Sequence, residues 1–305
     1  MTEKISAKET VKLTFSKMQG IGNDYIYIST IPKQNQAEPE WCSDVKRVGR
    51  LARTASDRHF GIGSDGLVLI RPSKQADIMM DMYNSDGSRG KMCGNAIRCV
   101  AKYAYERGLV KKATMEIETL SGIRQLKLNL VNDAVESVTV DMGVPVLQPR
   151  MIPADWPDKD MIGVPVEVGG KIWTLTALSM GNPHAVVFTD EADRDIEDLD
   201  LTRLGPPFEN HELFPDRVNT EFVKVIDRQT LRMRVWERGA GETLACGTGS
   251  CASVAAAFLN RRCDRSVVVK LNGGDLQIEW RDTDQHMIMT GPAAFVFDGV
   301  YETEV

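Results

Sequence analysis

The chain has 305 residues, a formal net charge of −6 and a sequence pI near 5.4. This length suits one large or two medium domains, and the sequence favours two. A general nucleic-acid or anionic-membrane binder needs a basic face, so the acidic balance excludes both classes and leaves a small polar substrate as the expected partner.

The chain carries neither a membrane-span pattern nor a secretory signal pattern. No stretch approaches the roughly 20 apolar residues that cross a bilayer. The N-terminal run MTEKISAKETVKLTF is charged where a signal peptide needs apolar residues, so a cytoplasmic protein is expected. The six cysteines are too few for a disulfide scaffold, and none has the paired CxxC spacing of a zinc site, so no metal is predicted.

Short β-rich runs recur along the chain with turn residues between them. Many alternate apolar and polar residues, as half-buried antiparallel strands do. Because such runs outnumber helical patterns, the sequence predicts an α+β protein with mainly antiparallel strands. In chain order the runs are KLTFSKM, DYIYIST, GLVLIRP, DIMMDMYN, TMEIETL, RQLKLNLV, ESVTVDMG, WTLTALSM, AVVFTD, TEFVKVID, LRMRVWE, SVVVKLN, LQIEWRD and HMIMTG.

Helical patterns are few. They cover Glu40 to Ser56, Asn95 to Glu106 and Gly249 to Asn260, and the last two are rich in small apolar residues that suit burial inside a sheet wall. The segment from Gly143 to Pro165 holds five prolines and shows little periodicity. It is therefore interpreted as the crossover between two domains.

The predicted division follows from that crossover. Residues 1–142, together with a C-terminal strand at 291–305, form a first half that carries Cys93. Residues 143–290 form a second half that carries Cys246.

A faint internal repeat supports two similar halves. In the first half, Asn84 lies nine positions before Cys93, and a Gly-Asn-Asp turn containing Asn23 precedes the strand YIYI. In the second half, Glu237 lies nine positions before Cys246, and a Gly-Asn-Pro-His turn precedes the strand AVVF. Duplicated halves place equivalent chemistry on the two sides of one cleft.

Both repeated cysteines stand in a Cys-Gly turn before an Ala-rich helix. Unpaired N–H groups and the helix dipole stabilise anions at a helix N-terminus, so the thiol pKa is expected below its free value of about 8.5. The same N–H groups can hold a substrate carboxylate, and Gly94 and Gly247 allow close approach to the backbone. Facing each other across a cleft between the domains, Cys93 and Cys246 could invert an amino-acid α-carbon by removing one proton and returning another.

Other polar residues near these turns have two interpretations, which the residues alone leave open. His184 is either a partly buried structural histidine or part of the site. Glu237 and Arg238 are either an exposed charged pair or the groups that bind a substrate ammonium and carboxylate. Four asparagines are either turn residues or ligands, namely Asn23, Asn84, Asn182 and Asn219.

Two further features are assigned structural roles. The run GIGSDG from Gly61 to Gly66 lacks the Walker lysine and the GxGxxG spacing, so it predicts a turn and no nucleotide site. The remaining thiols are interpreted as small buried apolar residues, namely Cys42, Cys99, Cys251 and Cys263.

At these residues the sequence resembles the diaminopimelate epimerase family, which interconverts LL- and meso-diaminopimelate on the route to lysine and peptidoglycan. The resemblance implies two similar domains, each a β-barrel around a central helix, with the active site between them. It also implies no pyridoxal phosphate, no metal and a homodimer. The likeness covers nearly the whole chain and rests on motifs in the family's order, namely KMQGIGNDYIYI, DRHFGIGSDGL, YNSDGSRGKMCGNAIRC, MGNPHAVVF, RVNTEFV and ERGAGETLACGTGSC.

Matching positions imply specific roles. Cys93 and Cys246 match the two acid/base thiols, and His184 and Glu237 match residues that support them. Four residues at the helix starts match those that hold the reacting carboxylate, namely Gly94, Asn95, Gly247 and Thr248. Six others match residues that bind the remaining amino and carboxylate groups, namely Asn23, Asn84, Asn182, Asn219, Glu237 and Arg238.

Two departures from the family pattern bear on these roles. Many bacterial members have Gln where this chain has Gly66, so one side-chain contact to the distal end of the substrate is lost. The family's CGNGARC is CGNAIRC here, and the pair Ala96 and Ile97 is expected to alter packing alone.

Two rival functions stay open from the residues. One is a racemase of the same architecture that acts on another amino acid, such as histidine or proline. The other is a thiol redox protein that uses Cys93 and Cys246 as an exchanging pair, although no CxxC motif occurs. A binding module without catalysis is disfavoured by the presence of both thiols and Glu237.

Overall fold

The structure, a computed structural model, describes residues 10–32, 36–189 and 195–304. Part of the predicted first half, 1–142 with 291–305, lies outside these ranges, namely residues 1–9, 33–35 and 305. The start of the charged N-terminal run falls among them. The chain divides into two compact units, which are Met1–Val138 with Pro292–Val305, and Thr139–Gly291.

The first unit contains most of the early strands, two α-helices and the last strand of the chain. A 3-10 helix, Glu40–Ser43, precedes the first α-helix. The division between the units falls within the eighth strand. The elements are β1 (Thr10–Gly20), β2 (Asn23–Ser29), α1 (Val45–Ser56), β3 (Gly66–Arg71), β4 (Ile78–Asn84), β5 (Arg89–Gly90), α2 (Gly94–Glu106), β6 (Thr114–Thr119), β7 (Gly122–Val131), β8 (Ala134–Gly143) and, at the C-terminus, β18 (Ala294–Glu304).

The second unit repeats this composition. Short 3-10 helices occur at Pro149–Met151 and Ile196–Asp198. The other elements are β9 (Met161–Val168), β10 (Lys171–Ser179), β11 (Pro183–Phe188), α3 (Leu201–Glu209), β12 (Asn219–Asp227), β13 (Thr230–Glu237), β14 (Gly241–Thr243), α4 (Gly247–Leu259), β15 (Ser266–Leu271), β16 (Gly274–Trp280) and β17 (Met287–Gly291).

Strand pairing within the two units is the same. In the first unit, β18–β1–β2 are antiparallel, β2–β3 are parallel, β3–β4–β5 are antiparallel, β4–β6 are parallel and β6–β7 are antiparallel. In the second unit, β9–β10–β11, β11–β12, β12–β13–β14, β13–β15 and β15–β16 repeat these directions in order. The internal repeat indicated by the sequence is therefore a repeat of topology.

Each unit wraps its strands around one largely buried helix. Helix α2 packs against β1, β2 and β7, and α4 packs against β10 to β13 and β15 to β17. Most residues of both helices are buried, and α4 is apolar on all sides, as a helix in a central position must be. The predicted α+β class with helices inside strand walls is confirmed.

The register brings the repeated polar residues to the same end of each unit. In the first unit, Gly66 at the start of β3 lies opposite Asn84 at the end of β4. In the second, the pairing of Thr220 with Trp236 makes Asn219 and Glu237 the next pair along the same strands. Asn84 and Glu237, which have the same spacing to their cysteines, therefore occupy equivalent strand positions in the two units.

Two predicted elements are wrong in detail, and one helix was not predicted. The helix predicted from Glu40 begins at Val45 instead, because Asp44 caps it by accepting hydrogen bonds from two backbone N–H groups of the first turn. Helix α3 was missed because its sequence LTRLGPPFE contains Gly and two Pro, although Asp200 caps it. The segment predicted as an irregular crossover contains the start of β9.

Candidate active site

Cys93 is the N-cap residue of α2. Its backbone is extended, and its Sγ accepts a hydrogen bond from the N–H of Ala96 at 3.5 Å. The thiol is partly exposed and lies 3.3 Å from Oδ1 of Asn23, to which it donates. The predicted helix-start position of this cysteine is confirmed.

Cys246 is the N-cap residue of α4 and has the same backbone conformation. Its Sγ accepts from the N–H of Gly249 at 3.4 Å and lies 3.5 Å from Oγ1 of Thr248. Unlike Cys93, it is buried. The first residues of the two helices, Gly94 and Gly247, are also buried, so each helix end offers main-chain donors beside a thiol.

The expected fall in thiol pKa is wrong for Cys246. Burial raises its pKa well above the ordinary value for a thiol, and the nearby carboxylates of Glu237 and Glu221 raise it further. Hydrogen bonds from Thr248 and the N–H of Gly249 act in the opposite direction but are weaker. Burial and the two neighbouring carboxyl groups together outweigh the helix end.

Glu237 is the last residue of β13, and its carboxyl group interacts with the thiol of Cys246. Thr243 donates a hydrogen bond to Oε1 of Glu237. Burial raises the pKa of the Glu237 carboxyl, while hydrogen bonds from Thr243 and Cys246 partly offset that rise. A carboxyl group with a raised pKa beside a thiol can share or relay its proton.

His184 lies behind the Cys246 turn and is fully buried. Its Nδ1 lies 2.7 Å from Oε1 of Glu221, and its Nε2 lies 3.0 Å from Oδ1 of Asn182. The Asn182 amide in turn donates to Oγ1 of Thr248 at 3.4 Å. His184 therefore connects to Cys246 through Asn182 and Thr248.

Glu221 is a functional candidate that the sequence patterns did not reveal. It is fully buried on β12, next to His184 on β11, because these strands pair in parallel. Its Oε2 is buried and has no hydrogen-bond partner among the described residues. The available signal was an acidic residue directly before the apolar pair Phe222 and Val223 of a predicted strand.

Asn23 connects Cys93 to an acidic residue of the loop before β3. While Oδ1 of Asn23 accepts from Cys93, its Nδ2 donates to Oδ2 of Asp65 at 2.8 Å. Asp65 also pairs with Arg58 at 3.0 Å, and Arg58 binds Asp24 at the same distance. Sequence patterns treated Asp65 only as part of a turn.

The other predicted ligands have varied surroundings. Asn219 is buried, donates to the carbonyl of Pro183 at 2.8 Å and accepts from the N–H of Arg238 at 3.0 Å. The guanidinium of Arg238 donates to the carbonyl of Asp216 at 2.8 Å. These contacts fix the turn that follows β13.

The predicted ligands of the first unit differ in exposure. Asn84 is partly exposed, and its amide donates to Oγ of Ser88 at 2.9 Å. Asn95 is buried and accepts from Arg98 at 3.0 Å. A Cβ on Gly66 would lie 2.1 Å from the carbonyl oxygen of Tyr83, so the backbone leaves no room for a side chain there.

The remaining cysteines behave as buried apolar residues. All six cysteines of the chain are free thiols. Burial raises the pKa of Cys42 and Cys263 to about 12 and that of Cys99 to about 11. Cys251 is fully buried as well. Within residues 10–32, 36–189 and 195–304, no group of three or more His, Cys, Asp or Glu residues is arranged to hold a metal ion.

None of the helices in the described ranges combines the length and apolar character needed to cross a membrane.

Sequence comparison identifies close relatives. A family profile described as diaminopimelate epimerase matches residues 15–148 and 176–296. The diaminopimelate epimerase of Acetivibrio thermocellus is 51% identical over 288 residues, which cover 94% of this chain and 98% of the relative. That of Desulfovibrio desulfuricans is 50% identical over 297 residues, with 95% and 99% covered.

Solved structures share the fold at low sequence identity. A hydroxyproline epimerase from Agrobacterium vitis superposes with a TM-score of 0.68 and 13% identity, covering 96% of this chain and 92% of that chain. A PhzF-family protein from Bacillus anthracis superposes with a TM-score of 0.61 and 15% identity, covering 96% and 99%. At such identities the likeness describes the fold alone.

Proposed function

Because the chain belongs to the diaminopimelate epimerase family, we propose that it interconverts LL- and meso-diaminopimelate with Cys93 and Cys246 as the two acid/base groups. The enzyme is an isomerase of the epimerase type. The observation that carries the assignment of the thiols is their shared position, since each caps the central helix of its own unit.

The proposed reaction is a 1,1-proton transfer. The thiolate of one cysteine takes the α-proton, the C–H electron pair stays on the α-carbon, and the thiol of the other cysteine delivers its proton to the opposite face. The charge that develops on the reacting carboxylate is stabilised by hydrogen-bond donors at the helix starts. The thiol and the thiolate exchange roles in each turnover, so the reverse reaction uses the same two groups.

The environment of Cys246 favours its protonated form, the form in which it donates a proton. Its pKa is raised by burial and by two carboxylates, so its sulfur carries a proton before substrate binds. Thr248 and the N–H of Gly249 contact the same sulfur and can stabilise the thiolate left after the proton is given up.

Substrate binding is assigned by chemistry. Main-chain N–H groups at Gly94 and Gly247, with Asn95 and Thr248, suit the reacting carboxylate. The guanidinium of Arg238 suits a second carboxylate, which a substrate with two amino-acid ends supplies. The distal groups would be bound by Asn23, Asn84, Asn182, Asn219, Glu237 and Arg238.

The buried pair of His184 and Glu221 would support Cys246 indirectly. His184 contacts Asn182, which contacts Thr248, and Thr248 contacts the thiol. Glu221 acts on the thiol through its charge. Glu237 is assigned a role beside Cys246 for the same electrostatic reason.

The wider assignments follow from the family. A diaminopimelate epimerase supplies precursors for lysine and peptidoglycan, and such a pathway operates in the cytoplasm. A homodimer is also expected, and sedimentation velocity would measure it: a monomer at all concentrations would contradict this expectation.

The test is a substrate panel in deuterated water followed by NMR. LL-diaminopimelate should yield the meso isomer with deuterium at one α-carbon, whereas proline and histidine should show neither inversion nor exchange. Inversion of proline or histidine alone would instead support the rival racemase. A protein that inverts no amino acid but cycles a Cys93–Cys246 disulfide would be the redox protein.

A further inference from the structure

The side chain of Asn23 lies between a thiol and a carboxylate. Its Oδ1 is 3.3 Å from Sγ of Cys93, and its Nδ2 is 2.8 Å from Oδ2 of Asp65. The same carboxylate oxygen accepts from the backbone N–H of Asp24 at 3.0 Å. A direct path of two hydrogen bonds therefore joins Asp65 to the thiol.

The chemistry of these groups fixes the direction of the amide. A carboxylate only accepts hydrogen bonds, whereas a primary amide donates through nitrogen and accepts through oxygen. The amide nitrogen of Asn23 must therefore face Asp65, which turns its oxygen toward Cys93. We propose that Asp65 is a positioning residue for Cys93, holding Asn23 so that its oxygen accepts from the thiol. This inference rests on the proposed acid/base role of Cys93.

Asp65 is itself held at both oxygens. Its Oδ1 pairs with the guanidinium of Arg58 at 3.0 Å, and the same guanidinium nitrogen binds Oδ1 of Asp24 at 3.0 Å. Lys17 pairs with the other oxygen of Asp24 at 2.5 Å. With Oδ1 directed at Arg58, Oδ2 is left to bind Asn23 and the Asp24 N–H.

The second unit orients its equivalent asparagine differently. The oxygen of the Asn182 amide contacts Nε2 of His184, and its nitrogen donates to Thr248, which lies beside Cys246. By strand register, Tyr25 takes the place of His184 in the first unit, and Val218 takes the place of Asp65 in the second. The two amides thus point opposite atoms toward their thiols, oxygen at Cys93 and nitrogen toward the Cys246 turn.

The difference matters for proton transfer. An oxygen acceptor at a thiol favours the S–H form and aims its proton, whereas an N–H donor favours the thiolate. Asp65 prevents the Asn23 amide from turning over. The two thiols therefore differ in their direct contacts, because the Asn23 oxygen accepts from Cys93, whereas the Asn182 nitrogen contacts Thr248 and reaches Cys246 only through it.

Other titratable groups also lie around Cys93 and are not substituted in the test. Tyr27 and Cys99 interact with it electrostatically, and burial raises the pKa of both, that of Cys99 to about 11. Behind Asn23 lie the charges of Lys17, Asp24 and Arg58.

The experiment compares Asp65→Ala with Asp65→Asn. For each variant, the rate of iodoacetamide modification of Cys93 is followed against pH by peptide mass spectrometry, beside kcat and KM for epimerisation. Asp65→Ala frees the amide to turn its nitrogen to the sulfur, so the alkylation profile should move by about one pH unit to lower pH. The value of kcat should fall about tenfold or more, with a smaller change in KM.

Asp65→Asn keeps an oxygen for the Asn23 amide and removes only the charge, so its profile should stay near that of the unmodified enzyme. Asp57→Ala is the matched control, because Asp57 accepts two backbone N–H groups in the same loop without contacting Asn23. In an Asn23→Ala background, Asp65→Ala should add no further shift. Asp65→Ser replaces Asp65→Ala if the latter does not fold.

Two outcomes overturn the inference. One is an Asp65→Ala profile that superposes on that of the unmodified enzyme. The other is an Asp65→Asn profile shifted as far as that of Asp65→Ala, because charge alone would then explain the effect. Failure of the proposed function has a separate signature, since Cys93→Ala would then retain epimerisation while the alkylation comparison still reports the effect of Asp65.

Discussion

Removing the charge of Glu221 should make Cys246 more acidic. Glu221 is fully buried, and Gln at this position keeps an oxygen that can accept from His184. The substitution Glu221→Gln therefore deletes a negative charge near the thiol with little change in shape. Because a negative charge opposes thiolate formation, its loss should lower the pKa of Cys246.

The size of the effect follows from the distance. A Cβ built on Gly249 would lie 2.6 Å from Oε1 of Glu221 and 3.2 Å from Cβ of Cys246, so the carboxylate and the cysteine side chain both lie beside Gly249. At about 7 Å and an effective dielectric constant of about 20, two unit charges interact by about 2 kcal/mol, or about 1.5 pH units.

The assay is the rate of iodoacetamide modification of Cys246 against pH, measured by peptide mass spectrometry. The midpoint for Glu221→Gln should lie about 1.5 units below that of the unmodified enzyme. Glu209→Gln is the control, since Glu209 is also buried in the second unit but binds Arg217 and Trp236. Superposed curves for Glu221→Gln and the unmodified enzyme would refute the electrostatic reasoning.

Three further predictions concern reactivity and stability. Iodoacetamide at neutral pH should modify Cys93 before Cys246, because Cys93 is partly exposed and Cys246 is buried with a raised pKa; peptide mass spectrometry that finds Cys246 modified first would contradict this. Gly66→Ala should lower the free energy of unfolding in urea by about 1 to 3 kcal/mol, since its Cβ would meet the Tyr83 carbonyl, and an unchanged free energy of unfolding would count against it. Asp44→Ala should lower the melting temperature by about 2 to 4 °C by uncapping α1, and an unchanged melting temperature would show that the cap is dispensable.

Local signals in the sequence were enough for the central part of the site. A Cys-Gly pair before an Ala-rich run predicts a helix start, and both Cys93 and Cys246 cap helices. Equal spacing to Asn84 and Glu237 predicted equivalent positions, because a repeated topology preserves the distance from a strand end to the next helix. These inferences depend only on neighbours along the chain.

Contacts between distant segments could not be predicted in the same way. Glu221 becomes a partner of His184 only through the parallel pairing of β11 with β12, across 37 positions of sequence. Asp65 meets Asn23 across 42 positions. The predicted direction of the Cys246 pKa shift was wrong, because the helix end is visible in the sequence, whereas burial and the two carboxylates are not.

Gly66 shows a third kind of limit. The sequence indicated that this chain lacks the glutamine side chain that many family members carry at this position. It could not indicate that the Tyr83 carbonyl and the Tyr25 ring occupy the space a side chain would need. Substitution by the family's Gln would therefore require the backbone to move.

The two-thiol mechanism is tested most directly by where solvent deuterium appears early in the reaction. In deuterated water both thiols carry deuterium, so a reaction that removes the proton with one cysteine and returns a deuteron with the other labels only the product. At low conversion, NMR should show deuterium at the inverted α-carbon of meso-diaminopimelate and none in the remaining LL substrate. Deuterium entering the LL substrate as fast as the meso product forms would show one group serving both faces, and would contradict the paired roles of Cys93 and Cys246.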